Sequence, residues 1–267
     1  MKLFFSLIFL VPFLGIFGQK NSSTIRIDKE LKEISGLEQF NDSLLVAMND
    51  SGNQPLLYFV NFKGQIIQRT FISNAINNDW EDLAMDDQRN LYIGDFGNNL
   101  NQRKNLAVLK LNIDSAFQQD TIKVEFIYFS YEEQTSFPPE KGQRIFDCES
   151  MAWHNGNLVL ITKNTDKKAM VANEYRLSTI PGSYQIEKAG IHACKGTLKD
   201  QFTGMDFDQN TFYLLTYKRL QFNNRRIKFH RLTQKEAVLK LNDGRVLIAS
   251  ERNFLLGGPF FHFMDIE

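Results

Sequence analysis

One phrase recurs along this 267-residue chain, and it limits the possible folds more than any other feature. A polar or acidic start leads into a short apolar strand, a tight turn, a second apolar strand and a closing polar cluster. Three copies are Glu33-Ile-Ser-Gly-Leu with Met48-Asn-Asp-Ser-Gly, Asp79-Trp-Glu-Asp-Leu with Gly94-Asp-Phe-Gly-Asn, and Asp147-Cys-Glu-Ser-Met with Thr162-Lys-Asn. Two more are Gln201-Phe-Thr-Gly-Met with Thr216-Tyr-Lys, and Gln234-Lys-Glu-Ala-Val with Ser250-Glu-Arg. Their third residues are Ser35, Glu81, Glu149, Thr203 and Glu236, spaced 46, 68, 54 and 33 residues apart. A step of about 50 residues holds four short strands with their turns, the size of a propeller blade.

The repeat predicts an all-β, five-bladed propeller, with the fourth blade short of an outer strand. The long insert between Gln118 and Arg144 leaves room for a sixth, degenerate blade. Ser23 to Asp28 reads as a strand that joins Phe260 to Ile266 in the last blade, closing the ring and hiding its edges. Regular strand spacing also fits a β-sandwich, the rival fold. Strand-like runs such as Leu56 to Phe62, Leu106 to Leu111 and Asn157 to Thr162 are separated by turn signals such as Asn155-Gly156 and Asn242-Asp243-Gly244. Aromatic residues make up 13% of the chain, which suits many half-buried strands.

The first 18 residues have a different character. Met1 and Lys2 precede an apolar run from Leu3 to Phe17, too short for a comfortable span and matched to the core of a secretory leader. Cleavage after Gly18 leaves residues 19–267 as one propeller domain, exported to the periplasm or beyond, monomeric and without a membrane span. An uncleaved anchor is the alternative. In an oxidising compartment Cys148 and Cys194 either pair or remain two buried thiols. With 31 basic and 31 acidic residues the formal charge is zero, and no basic stripe marks a nucleic-acid binder.

Propeller topology carries the phrase starts and the ends of the second strands to one mouth of the central channel. That mouth is expected to collect Asn49, Asp50, Asp79, Glu81, Asp82, Asp95, Asp147, Glu149 and Lys163. The last two blades add Thr203, Tyr217, Lys218, Glu236, Glu251 and Arg252. Carboxylates and amides around a channel suit a hard cation such as calcium, with Glu81, Asp82, Asp95 and Glu149 as the expected metal ligands. Asp50, Lys163, Tyr217, Lys218, Glu251 and Arg252 are the expected contacts to a small ligand. The same acids can instead serve as acid and base, or cap loop amides. The four histidines fall on turns or outer strands, so a histidine-bound zinc or a Ser-His-Asp set lacks its centre.

The motifs Asp79-Trp80-Glu81-Asp82-Leu83-Ala84, Gly94-Asp95-x-Gly97-x-Asn99 with Arg103, Asp147-x-Glu149 and Thr203-Gly204-x-Asp206 resemble those of a group of exported, uncharacterised bacterial propeller proteins. Glu236-Ala237 and Ser250-Glu251 continue the resemblance. It spans most of the chain, with Asn98 and the turn Asp208-Gln209-Asn210 as departures. A looser likeness runs to calcium-dependent lactonase and phytase-like propellers, and implies acidic ligands at one mouth; fold likeness carries no activity with it. Three functions follow as expectations. The first is an envelope binding or scaffold module with a calcium or small-ligand site at the mouth. The second is a calcium-dependent hydrolase of phosphate or carboxylic esters or lactones. The third is a docking platform for an envelope protein using the rim loop Glu133 to Gln143.

Overall fold

Strands in a propeller blade are covered on both faces by neighbouring blades, so their sequences read as near-continuous apolar runs rather than strict alternation. Leu44-Leu-Val-Ala-Met and Asn157-Leu-Val-Leu-Ile are such runs, and both form second strands of blades. The computed structural model describes residues 22–163, 171–193, 200–229, 233–253 and 257–266. The leader and Cys194 lie outside the described residues; Cys148 is a buried free thiol. Among the described residues no helix is long and apolar enough to cross a membrane.

The described chain forms five small, mainly antiparallel sheets arranged as a ring, a five-bladed β-propeller. The first blade comprises β2 (Ile34–Gln39), β3 (Leu44–Asn49), β4 (Leu56–Asn61) and β5 (Ile66–Ile72). The second comprises β6 (Trp80–Met85), β7 (Asn90–Asp95), β8 (Leu106–Asn112) and β10 (Glu125–Tyr131). β11 (Asp147–His154), β12 (Asn157–Lys163), β13 (Val171–Ser178) and β15 (Lys188–Ala193) make the third. β16 (Phe202–Asp208), β17 (Thr211–Thr216), β18 (Arg219–Phe222) and β19 (Arg225–Lys228) make the fourth. The fifth joins β20 (Lys235–Lys240), β21 (Val246–Ser250) and β22 (Phe260–Met264) to β1 (Ser22–Arg26).

Two expectations are corrected here. The fourth blade has its outer strand, because Asn223 and Asn224 adopt φ of 43° and 61° and turn the chain into β19. The insert after Gln118 makes no sixth blade. It supplies β9 (Thr121–Ile122), which pairs parallel with the edge of the first blade, and then β10. A further strand, β14 (Gly182–Ile186), leaves the third blade to pair parallel with β10.

The ring closes as the termini suggested. β1 pairs antiparallel with β22, Thr24 opposite His262, so the two ends of the chain share one sheet. The inner strands meet in the cyclic order β2, β6, β11, β16, β20 and back to β2. Successive residues of each strand serve opposite gaps. Val46 and Met48 pack toward the second blade, whereas Leu45 and Ala47 pack toward the fifth. The described core accordingly divides into five apolar clusters, one in each gap between blades.

Every inner strand carries a β-bulge at its mouth end, at the third residue of the repeated phrase. Register shifts fall between Ile34 and Gly36, Trp80 and Leu83, Cys148 and Ser150, Phe202 and Gly204, and Lys235 and Ala237. Each bulge removes one residue from the ladder, or two in the second blade, and re-aims its side chain. Where that residue is small, its hydroxyl ties the ring together. Ser35 Oγ donates to the Trp80 carbonyl at 3.0 Å, and Thr203 Oγ1 to the Lys235 carbonyl at 2.6 Å. The following glycine permits the approach, since a Cβ on Gly204 would lie 2.6 Å from the Glu236 carbonyl oxygen.

Deleting residues 22–26 should expose the β22 edge, lower the melting temperature and promote aggregation. Thermal unfolding with light scattering checks this, and an unchanged transition would contradict closure by β1.

Candidate functional site

Where the bulged residue is glutamate, the same geometry sends a carboxylate to the mouth. Glu81, Glu149 and Glu236 occupy this position in the second, third and fifth blades. The end of each second strand stands beside it, since the final ladder pairs include Trp80 with Asp95, Asp147 with Lys163 and Lys235 with Ser250.

The first and second blades build the tightest acidic group. Carboxylate oxygens of Asp50, Asp79 and Glu81 all lie within 4.8 Å of one another. Asn77 brings them together, because its Nδ2 donates to the carbonyls of Asn49 and Asp50, each at 2.9 Å, across the gap between blades. Its Oδ1 accepts from the Trp80 amide at 3.1 Å, turning the chain into β6. Gly97 forms the floor. A Cβ there would lie 2.2 Å from Glu81 Oε1 and 2.5 Å from Asp79 Oδ2, so only a bare backbone leaves room for the two acids. The Gly97 amide donates to the Asp79 carbonyl at 3.1 Å.

Around this trio stand more acids. Asp147 is fully buried; its Oδ1 accepts from the Asn98 amide at 2.7 Å, while its Oδ2 has no hydrogen-bond partner. Glu149 pairs with Lys163 at 2.7 Å, and Tyr217 donates to Glu236 Oε1 at 2.9 Å. Asn53 donates to Glu33 Oε2 at 2.7 Å on the rim beside Asp50.

Crowding of like charges away from water leaves its mark on protonation. Burial, then Asp79 and Glu149, pushes the Asp50 carboxyl up to about 6. Burial and the neighbours Asp50, Glu33 and Glu149 push Glu251 up to about 8. Glu81 is raised well above the usual range by burial and by Glu149, Asp50, Asp79 and Asp147. Burial and Glu149 raise Asp147, and burial with Glu251 and Glu149 raises Glu236. Burial works against the Lys163 ammonium, but Glu149 and Asp147 outweigh it and hold its proton more firmly than usual.

The expected residues divide between the mouth and other tasks. Asp50, Glu81, Glu149, Lys163, Tyr217 and Glu251 share the acidic mouth. Asp82, next to Glu81, has its carboxylate elsewhere. Oδ2 accepts from the amides of Met151 at 2.9 Å and Met205 at 3.3 Å, and Oδ1 from Leu83 at 2.9 Å, so it clamps three inner strands. Asp95 is held by Arg103 at 2.8 Å and Asn78 at 2.6 Å, and its Oδ1 receives the Asp79 amide at 3.1 Å; it positions Asp79. Lys218 is drawn to Asp200 at 2.9 Å, and Arg219 pairs with the same carboxylate. Arg252 is exposed, its backbone amide bound to the Lys32 carbonyl at 2.8 Å. Sequence reading assigned no role to Asn77 and gave Gly97 none beyond its place in a motif. An asparagine two residues before an acidic phrase, and a glycine inside the next polar cluster, were the available signals.

No protein-family model matches the sequence, and no curated protein matches it. Among solved structures, the PQQ-bound aldose sugar dehydrogenase of Streptomyces coelicolor is similar with a TM-score of 0.54 at 8% identity, covering 91% of this chain and 98% of that one. The WD40 β-propeller domain of Doa1 gives a TM-score of 0.48 at 8% identity, covering 94% and 97%. A virginiamycin B lyase from Staphylococcus aureus gives 0.43 at 8% identity, covering 88% and 67%. At such identities the likeness of the first shows the propeller fold and nothing of its chemistry.

Stability should report the crowding. Asp50 and Glu251 keep protons in the fold that the unfolded chain loses above its ordinary values of 3.8 and 4.5. The folded state therefore binds more protons, and metal-free stability should fall as pH rises from about 5 toward 8. Glu81→Gln should raise the metal-free melting temperature at pH 8 and flatten this slope. A melting temperature that rises over that range would contradict it.

Proposed function

We propose that this protein is an exported binding module whose channel mouth holds a calcium ion through Asp50, Asp79 and Glu81, with Glu149 beside them. One observation carries the reading: three carboxylates from two blades converge within 4.8 Å. Calcium takes oxygen ligands at about 2.3–2.6 Å, so ligand oxygens on one ion stand up to about 5 Å apart, and the trio fits that spacing. Absence of sulfur or imidazole from the trio argues against zinc. Gly97 supports the reading by keeping the space between Glu81 and Asp79 clear. The unpartnered Asp147 Oδ2, buried against the same acids, supports it too. A dication offsets the burial and the mutual repulsion that raise these carboxyls, so binding should release protons.

A second reading, hydrolysis of a phosphate or carboxylic ester or lactone, draws on Lys163 and Tyr217. They set proton-bearing groups beside Glu149 and Glu236, where a calcium-polarised substrate could receive them. A panel of such esters and lactones separates the two. Turnover lost in Lys163→Met with calcium binding intact supports the enzyme, and no turnover leaves the binding module.

Calcium at a hundred times its dissociation constant should stabilise the protein by about 2.7 kcal/mol, or roughly 5–10 °C in melting temperature. Chelator should remove the gain, and Asp79→Asn with Glu81→Gln should abolish it. No calcium effect, with a destabilised double mutant, would favour loop capping instead. Export is checked by N-terminal sequencing of the secreted protein, expected to begin at Gln19.

A further inference from the structure

The fourth blade carries a second concavity with opposite chemistry. A groove of about 450 Å³ is lined by residues of β17, β18, β19 and the hairpin between the last two. Strand register sets Leu214 opposite Gln221 and Gln221 opposite Arg226, so these three form one row across the sheet face. Phe212, two positions before Leu214 on β17, continues the same face, and Asn223 in the hairpin turn lines its end. Phe212 is braced from the side by Phe207, its cross-strand partner on β16, with ring centres 4.7 Å apart. Thr211 donates to Asn223 Oδ1 at 3.1 Å, and Arg225 donates to the Ile266 carbonyl at 2.9 Å, so the frame is fixed.

The groups that face outward are not satisfied in the same way. Among the described residues, the side chains of Gln221, Asn224 and Arg226 make no hydrogen bond or ion pair. No carboxylate is among the described lining residues. The groove therefore offers an apolar floor of Phe212 and Leu214, planar amides around it, and a guanidinium at one side.

We propose that this groove binds a carboxylated saccharide, a uronic-acid unit of an envelope or extracellular polysaccharide. A pyranose ring has an apolar face for the Phe212 and Leu214 floor and an equatorial edge of hydroxyls for planar amides. Its carboxylate matches the two-pronged donor geometry of Arg226. A bare phosphate uses the guanidinium but leaves the floor empty, and a metal ion is repelled by the arginines. Nucleic acid needs a basic track that neutralises several phosphates, and a chain of zero formal charge with this short cationic edge does not supply one. The volume suits one or two sugar units. This site is separate from the acidic mouth and independent of calcium.

Calorimetric titration of the leaderless protein with a galacturonic-acid oligomer, in chelator, tests it. Binding should be salt-sensitive, weaken at least tenfold in Arg226→Ala and several-fold in Gln221→Ala, and survive Glu81→Gln unchanged. Both groove side chains are surface groups, and circular dichroism verifies that the variants fold. A neutral gluco-oligomer of equal length should bind at least tenfold more weakly. The proposal is overturned if the acidic oligomer does not bind, if the neutral oligomer binds as well, if a single-stranded oligonucleotide binds more tightly, or if Arg226→Ala leaves affinity unchanged.

Discussion

Five inner strands crowd around one axis, and each must leave its ladder at the mouth end. The bulge that does this is the device on which both the ring and the site depend. A regular strand would keep the third phrase residue in the pleat, pointing into a gap between blades. Released from the ladder, that residue either bonds the next inner strand, as Ser35 and Thr203 do, or projects a carboxylate to the mouth. One backbone irregularity, repeated five times, thus serves as glue in two blades and as chemistry in three.

The electrostatic consequence follows from that geometry. Buried carboxylates near one another disfavour their own ionisation, and the fold accepts this because apolar packing in five gaps holds the backbone in place. Four cations around the channel and its fourth blade are committed to ion pairs. Lys163 answers Glu149, Arg103 answers Asp95, and Lys218 and Arg219 answer Asp200. Within the trio, Ser51 and Arg103 ease Asp50 and Asp79 only in part, and Glu81 remains raised by burial and its acidic neighbours. Arg226, meanwhile, lies on the outer strand of the fourth blade in a groove whose described lining holds no carboxylate, so the neutral total charge of the chain conceals two local extremes.

Edges were managed differently from blade to blade. β9 and β14 cover the first and second blades with a fifth, parallel strand, and β1 seals the fifth. Among the described residues no strand pairs with the outer edge of β19, which carries two arginines and a lysine, a charge pattern that resists pairing with another copy. That same charge, beside the Phe212 and Leu214 floor, gives the groove its character.

By itself the sequence determined the all-β class, the repeat and its step of about 50 residues, because stacked copies of a phrase of fixed polarity bury one another's apolar strands. The blade count and the completed fourth blade came from the structure. The sequence also determined which residues arrive at the mouth end, since strand direction alternates regularly. Which side chains face one another there was decided by tertiary structure. Glu81 and Asp82 are adjacent in sequence, yet a two-residue bulge sends one toward Asp50 and Asp79 and buries the other among the amides of Leu83, Met151 and Met205. Tyr217 holds the phrase position of Lys163, while Lys218, one residue further on, is captured by Asp200 from outside the phrase. Asn77, from outside the repeated phrase, ties the Asp50 backbone to the second blade across the gap. Period-two alternation stops at a bulge, and hydrogen bonds between blades connect residues far apart in the chain. The facing of each side chain is therefore a property of the assembled ring.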